Sequence, residues 1–274
     1  MLRSAIFALL FLFIFEFAYA QTPEAPAGQL VQRVINNELT AQNRDHSHWM
    51  FRLSTKKKSE QDVYKVVETK DGNLKLLVLV NGRPAPSNQR EQSEARIKHF
   101  VRNPADLRKS LKDDHQDTKQ SQELLKMLPQ AFIFNYAGTR GDLVKMDFKP
   151  NPTFHARTHE AEVFHAMEGT LWVDAKQNRL AEINGRLMHT VKFAGGLLGH
   201  LDSGGTFVVK QEPVAPGYWE LTLLNVHMKG KALFFKTISV QQDYSRSDFQ
   251  KVPDDLTLAK AADALNKQTS AATR

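Results

Sequence analysis

The sequence predicts an α+β protein: a strongly curved antiparallel β-sheet, an open half-barrel, with helices over its concave face and a helical flap inserted into it. Three observations carry that prediction. From Phe132 onward, strand patterns follow one another through connections too short for crossovers, so consecutive strands are antiparallel neighbours. Helical periodicity is confined to an N-terminal segment, one insertion and the C-terminal end. A sheet of roughly ten antiparallel strands also curls rather than staying flat.

Residues 1–20 read as a signal peptide. Arg3 precedes an apolar run from Ala5 to Phe15, and Ala18 and Ala20 place small side chains at the −3 and −1 positions before Gln21. The run is shorter than the roughly 20 residues of a spanning helix, and Glu16 closes it. The expectation is a periplasmic or secreted protein, soluble after cleavage. The chain holds no cysteine, which excludes a lipoprotein anchor, disulfides and thiolate metal sites and leaves stability to the core. A net charge of +7 suits anionic headgroups, acidic glycans or acidic protein patches, and in an exported chain nucleic acid is not an expected partner. Lys56-Lys57-Lys58, the tightest basic run, reads as a solvated strand end or loop rather than a binding patch.

Residues 21–27, with Pro23 and Pro26, form a linker, and 28–265 form a single half-barrel domain. Leu30, Val31, Val34, Ile35 and Leu39 recur at helical spacing over 28–42. Trp49–Leu53 and Val63–Glu68 alternate as strands, and Asp71-Gly72-Asn73 turns the chain into Leu74–Val80. That last strand is apolar on both faces, as a strand covered from both sides must be.

The insertion at 87–128 breaks the β pattern. One helix closes on Ile97, Phe100 and Val101. Asn103-Pro104 caps and opens a second, apolar at Leu107 and Leu111 and again at Leu124, Met127 and Leu128 before Pro129. Its polar middle cannot be core, so it lies in water.

Strands follow at Phe132–Tyr136, Leu143–Phe148, Gly169–Asp174, Leu180–Phe193, Thr206–Glu212, Trp219–Met228 and Leu233–Gln241. The expected connections are Gly138–Gly141, Gln177-Asn178, Ser203-Gly204-Gly205, Pro216-Gly217 and Lys229-Gly230. Pro253-Asp254-Asp255 caps a final helix carrying Leu258, Ala262 and Leu265, and 266–274 form a flexible tail. A transmembrane barrel is excluded, because many strands carry charges on both faces and the helices have no place in a bilayer.

Catalytic chemistry finds little footing. His46 and His48, and the group His155, His159 and His165 with Glu160 and Glu162, invite a zinc hypothesis. No second histidine follows His159-Glu160 at metal-binding helical spacing, and Pro150 and Pro152 make the segment a loop. There is no Gly-x-Ser-x-Gly elbow, and Gly195–Gly199 lacks the Lys and Ser/Thr of a phosphate loop. The expectation is no catalytic residue, no metal and no cofactor.

Gly169-Thr170-Leu171-Trp172-Val173-Asp174, Arg179-Leu180, Gly185-Arg186-Leu187, Gly205-Thr206-Phe207 and Gly217-Tyr218-Trp219 make up a recognisable run. The run resembles an uncharacterised family of exported bacterial proteins related to the periplasmic lipoprotein carrier and its outer-membrane receptor. The resemblance implies an unclosed half-barrel that holds acyl chains in its interior, hence binding rather than catalysis. Trp49, Phe51, Phe134, Trp172, Phe207, Trp219 and Phe234 all fall on predicted strands and are the cavity candidates. The competing reading of these residues is an ordinary core beneath the helices.

The functional expectation is a monomeric carrier for a lipid or lipoprotein acyl chain. The alternatives are an envelope interaction module, such as a chaperone or stress sensor meeting an envelope membrane protein, and a metal-assisted enzyme at His155/His159/His165.

Overall fold

The computed structural model describes residues 26–57, 59–232 and 236–271; the side chains of 110–117, 159–160, 232–238 and 268–271 lie outside it. The expected signal segment with Ala18 and Ala20, the following Gln21, and Phe234 are therefore outside the described residues.

Helix α1 (Ala27–Arg44) buries Leu30, Val31, Val34, Ile35 and Glu38 along one stripe. The chain then lays down β1 (His48–Lys57), β2 (Glu60–Thr69), β3 (Gly72–Val80) and the short β4 (Arg83–Pro84). Helices α2 (Ser87–Arg102) and α3 (Pro104–Ala131) come next, followed by β5 (Phe132–Arg140) and β6 (Leu143–Pro150). After a single turn α4 (His159–Glu162) the strands are β7 (Met167–Asp174), β8 (Arg179–Leu187), β9 (Val191–Phe193), β10 (Gly199–Leu201), β11 (Thr206–Ala215), β12 (Tyr218–Ala232) and β13 (Lys236–Val252). Helix α5 (Leu258–Ala271) ends the described chain.

All the strands join one antiparallel sheet in the order β4-β3-β2-β1-β13-β12-β11-β8-β7-β6-β5, with β9 and β10 attached beside β12. The fold is thus α+β, and the sheet is not closed on itself. Within it β1 pairs with β13, which brings the first and last of the long strands together. Its two free ends, β3–β4 and β5, are the strands on either side of α2 and α3 in the chain.

Helix α2 runs along the open edge of β3. The Ser93 hydroxyl accepts from Leu77 N–H at 3.0 Å and donates to Lys75 C=O at 3.1 Å, so it satisfies edge groups that would otherwise invite another strand. Ile97 of α2 and Leu107 of α3 join Met50, Val67, Leu74, Leu76 and α5's Leu258 and Leu265 in one core. Leu107 sits against Gly72, whose φ of +129° and lack of a Cβ let the helix approach; a Cβ there would lie 2.7 Å from Leu107 Cγ. Arg108 Nη1 reaches Asp71 Oδ1 at 3.0 Å and pins the same end.

The other end of α3 packs Leu124, Leu125, Met127 and Leu128 on the main core with α1, Phe132, Met146, Phe148, Leu171 and Val173. Between these anchors residues 118–121 are exposed, as a helix apolar only at its ends requires. At about 1.5 Å per residue its 28 residues span roughly 42 Å. It is a strap from one free end of the sheet to the other.

Several local expectations are corrected. Helix α3 does not stop before Pro129 but contains it and runs to Ala131. The first hairpin after it turns at Gly141-Asp142, because Gly138 belongs to a bulge of β5 opposite β6. Leu180–Phe193 is two strands, β8 and β9. Lys229-Gly230 lies inside β12, where the missing Cβ lets His200 C=O come within 2.1 Å of the side-chain position. Strand β13 extends eleven residues beyond Gln241 to Val252 and provides the pairing edge for β1. The cap of α5 is Thr257, whose Oγ1 accepts from Lys260 N–H at 3.3 Å, rather than Asp254 or Asp255.

Candidate functional site

A large cleft, about 1190 Å³, opens between the sheet and the α2–α3 strap. Its floor combines Leu53 and Thr55 of β1, Asp62 and Tyr64 of β2, Lys75 and Leu77 of β3, Leu221 and Leu224 of β12, and Tyr244 and Arg246 of β13. Its roof is Gln89, Gln92, Arg96, Ile97 and Phe100 of α2 with Leu107 and Ser121 of α3. Register explains why these side chains share a face: Leu53 stands opposite Tyr64 and Arg246, Tyr64 opposite Leu77, and Thr55 opposite Asp62 and Tyr244. The volume exceeds the roughly 300–1,000 Å³ of sites for drug-sized ligands.

The lining is amphiphilic. Tyr64 O–H donates to Asp62 Oδ2 at 3.1 Å, and burial, then that bond to a carboxylate, push the phenol up to about 12. The other oxygen, Asp62 Oδ1, is buried with no hydrogen-bond partner among the described residues. Arg246 stacks its guanidinium 5.1 Å from the Phe51 ring. Behind it lie two carboxyls whose burial raises both pKa values. Glu68 also accepts Trp49 N–H at 3.0 Å, while Glu220, repelled further by Glu68, reaches about 7.

A second cleft, about 630 Å³, lies where β6, β7, β8 and β11 cross the row Phe148, Gly169, Gly185 and Phe207. The two glycines face each other across the ladder. A Cβ on Gly169 would stand 1.9 Å from Asn184 C=O, and one on Gly185 would stand 2.7 Å from the Phe207 ring. The glycines therefore permit a close strand approach, and the Phe207 ring covers the gap.

The six aromatic candidates among the described residues do not form one cluster. Phe207 lines the second cleft, and Phe134 packs on the main core with Phe132 and Phe148. Trp49 and Phe51 are buried with Phe249 and Tyr218 in a separate core. Trp219 donates its indole N–H to Gln177 and lies under the Arg179 guanidinium. Trp172 is on the face opposite Leu171 and Val173, half-buried beneath Arg140. None of these six lines the large cleft, whose walls come from leucines, two tyrosines and polar residues on five adjacent strands, with Ile97 and Phe100 from α2.

Among the described residues no group of three or more His, Asp or Glu is placed to hold a metal. His155 Nδ1 pairs with Thr153 C=O, and His165 lies beside Phe154.

The motif residues of β7 and β8 have structural roles. Asp174 Oδ1 accepts Gln177 N–H and shapes the turn. Arg179 clamps α1: its Nε and Nη2 donate to Glu38 Oε1 and Oε2 at 2.7 and 3.2 Å, and Leu180 N–H donates to the same Oε1 at 2.7 Å.

No family model, no curated protein and no solved structure matches this chain. Among the described residues no helix is long and apolar enough to cross a membrane.

Proposed function

We propose that this chain is an exported, soluble carrier that holds an apolar, amphiphilic ligand, a lipid or a lipoprotein acyl chain, between its sheet and the α2–α3 strap. One observation carries the reading: a cleft of about 1190 Å³ whose walls alternate leucines with polar side chains. A filled core would leave no such space. The strap that joins the free ends of the sheet supports a half-barrel whose concave face holds the ligand, because one cleft then draws walls from β3, β12 and α3 together. The leader at 1–20 supports a periplasmic or secreted location.

The test is to fill the space. Leu224→Trp and Leu53→Trp each place an indole where the chain would lie. A fluorescent fatty acid should bind the parent and lose on the order of tenfold in affinity for each variant, since a few buried methylenes at about 0.8 kcal/mol each account for that factor. Equal binding to parent and both variants would place the ligand elsewhere.

An envelope interaction module is the second reading, and one feature favours it. The loop joining β9 to β10 lifts Leu197 to 75% exposure, with Leu198 also exposed, an apolar tip of the kind that partner surfaces cover.

A further inference from the structure

The charge around the large cleft is uneven. Lys57, Lys75, Arg96 and Arg246 line it, against Glu60 and Asp62. None of the four cations forms an ion pair within 4.0 Å among the described residues, whereas one oxygen of Asp62 is already held by Tyr64. Lys75 and Arg96 are exposed at the rim, but Arg246 lines the cleft half-buried, its Cζ placed over the Phe51 ring at 5.1 Å from the centroid. A guanidinium fixed in that way presents a planar fork that carboxylate and phosphate oxygens match in pairs, and partial burial strengthens such a contact relative to water.

Building on the carrier reading, we infer that the cleft selects amphiphiles with an anionic head, a carboxylate or a phosphate, seated on Arg246 with the chain along Leu53, Leu77, Leu221 and Leu224. The two carboxyls behind Arg246 do not cancel this preference. Among the described residues neither Glu68 nor Glu220 comes within ion-pair distance of it, and burial outweighs the pull of the Arg246 charge on both and raises their pKa values. An ammonium head would instead meet four cations and two acids. The rim cations Lys57, Lys75 and Arg96 extend the positive field outward and raise the encounter rate of an anionic ligand.

The experiment ranks four amphiphiles of one chain length, palmitate, cetyl phosphate, cetyl alcohol and cetylamine, by displacement of a fluorescent acyl probe from residues 21–274. Palmitate and cetyl phosphate should bind on the order of tenfold more tightly than the alcohol, the size of a charge-assisted hydrogen bond, and the amine should bind most weakly. Arg246→Gln should weaken the acids on the order of tenfold and the alcohol far less, so that the acid-over-alcohol preference is lost, and Arg246→Lys should restore part of it. Alcohol binding also reports that the variant is folded. If Arg246→Gln does not fold, the ranking by the parent protein still decides.

Equal affinity for acid and alcohol, or a preference that survives Arg246→Gln, overturns the head-group assignment and leaves the carrier reading standing. Failure of every amphiphile to displace the probe, with no probe bound at all, overturns both.

Discussion

Removing Glu38 should unfold this protein at markedly lower temperature. Glu38 is fully buried, at 0% exposure, and its partner Arg179 is 9% exposed. The pair is bidentate, at 2.7 and 3.2 Å, and Glu38 also takes the Leu180 backbone N–H at 2.7 Å. Glu38→Ala leaves a buried guanidinium and a buried amide without acceptors. Loss of one partner of a buried pair costs about 3–5 kcal/mol. The orphaned amide belongs within that figure, while the Trp219 face, 5.5 Å from the guanidinium, recovers a small part. For a domain of this size the loss corresponds to roughly 6–20 °C in Tm.

The assay is reversible urea unfolding followed by far-UV circular dichroism, on the parent, on Glu38→Met, on Arg179→Met and on the double variant. Each single variant should lose about 3 kcal/mol or more. The double variant should lose less than their sum, because two apolar side chains of similar length leave no unpaired charge. Additive losses, or single losses below about 1 kcal/mol, would refute the view that this pair fixes α1 to the β7–β8 hairpin.

The remaining predictions concern other parts of the same frame. Gly185→Ala puts a methyl group 2.6 Å from Glu168 C=O and 2.7 Å from the Phe207 ring, so it should lower stability by about 1–3 kcal/mol, read from the denaturant midpoint. Trimming Phe207 to Ala in that background should recover little, since the carbonyl clash remains. Ser93→Ala strips the β3 edge of its partner and should speed hydrogen exchange of the Leu77 amide on the order of fivefold, a loss of about 1 kcal/mol.

Glu220 has a folded pKa raised to about 7 against an ordinary 4.5. The folded state therefore holds a proton that the unfolded state releases, and stability falls as pH rises through that window. Glu220→Gln should be more stable than the parent at pH 8 by up to about 3 kcal/mol, with the difference vanishing below about pH 4.5. A pH-independent difference between the two would contradict this.

Elements that owe their form to local periodicity were legible in the sequence. The apolar stripe of α1 shows in Leu30, Val31, Val34 and Ile35, and the strap's wet middle shows in the polar stretch between Leu111 and Leu124. Glu38 continues that stripe, so it was detectable as a polar residue at a core position, but nothing local points to Arg179, 141 residues away. The glycines misled where their reason was packing rather than turning. Gly230 gives His200 room inside a ladder, and Gly138 sits in a bulge.

The far half of β13 escaped because its run from Gln241 to Ser247 is almost wholly polar, with Tyr244 and Arg246 facing a cleft instead of a dry core. The cleft itself was hidden for the same reason. A search for large aromatic side chains on strands finds cores, and the floor here is leucines, tyrosines and charges brought together by register across five strands.

The most direct test of the carrier account is native mass spectrometry of residues 21–274, exported into a bacterial periplasm and purified without detergent, followed by organic extraction. The account predicts about one acyl-bearing molecule per protein, with occupancy falling sharply in Leu224→Trp. A protein that emerges empty and stays empty when incubated with fatty acid would contradict it and move the function to the exposed apolar loop at Leu197.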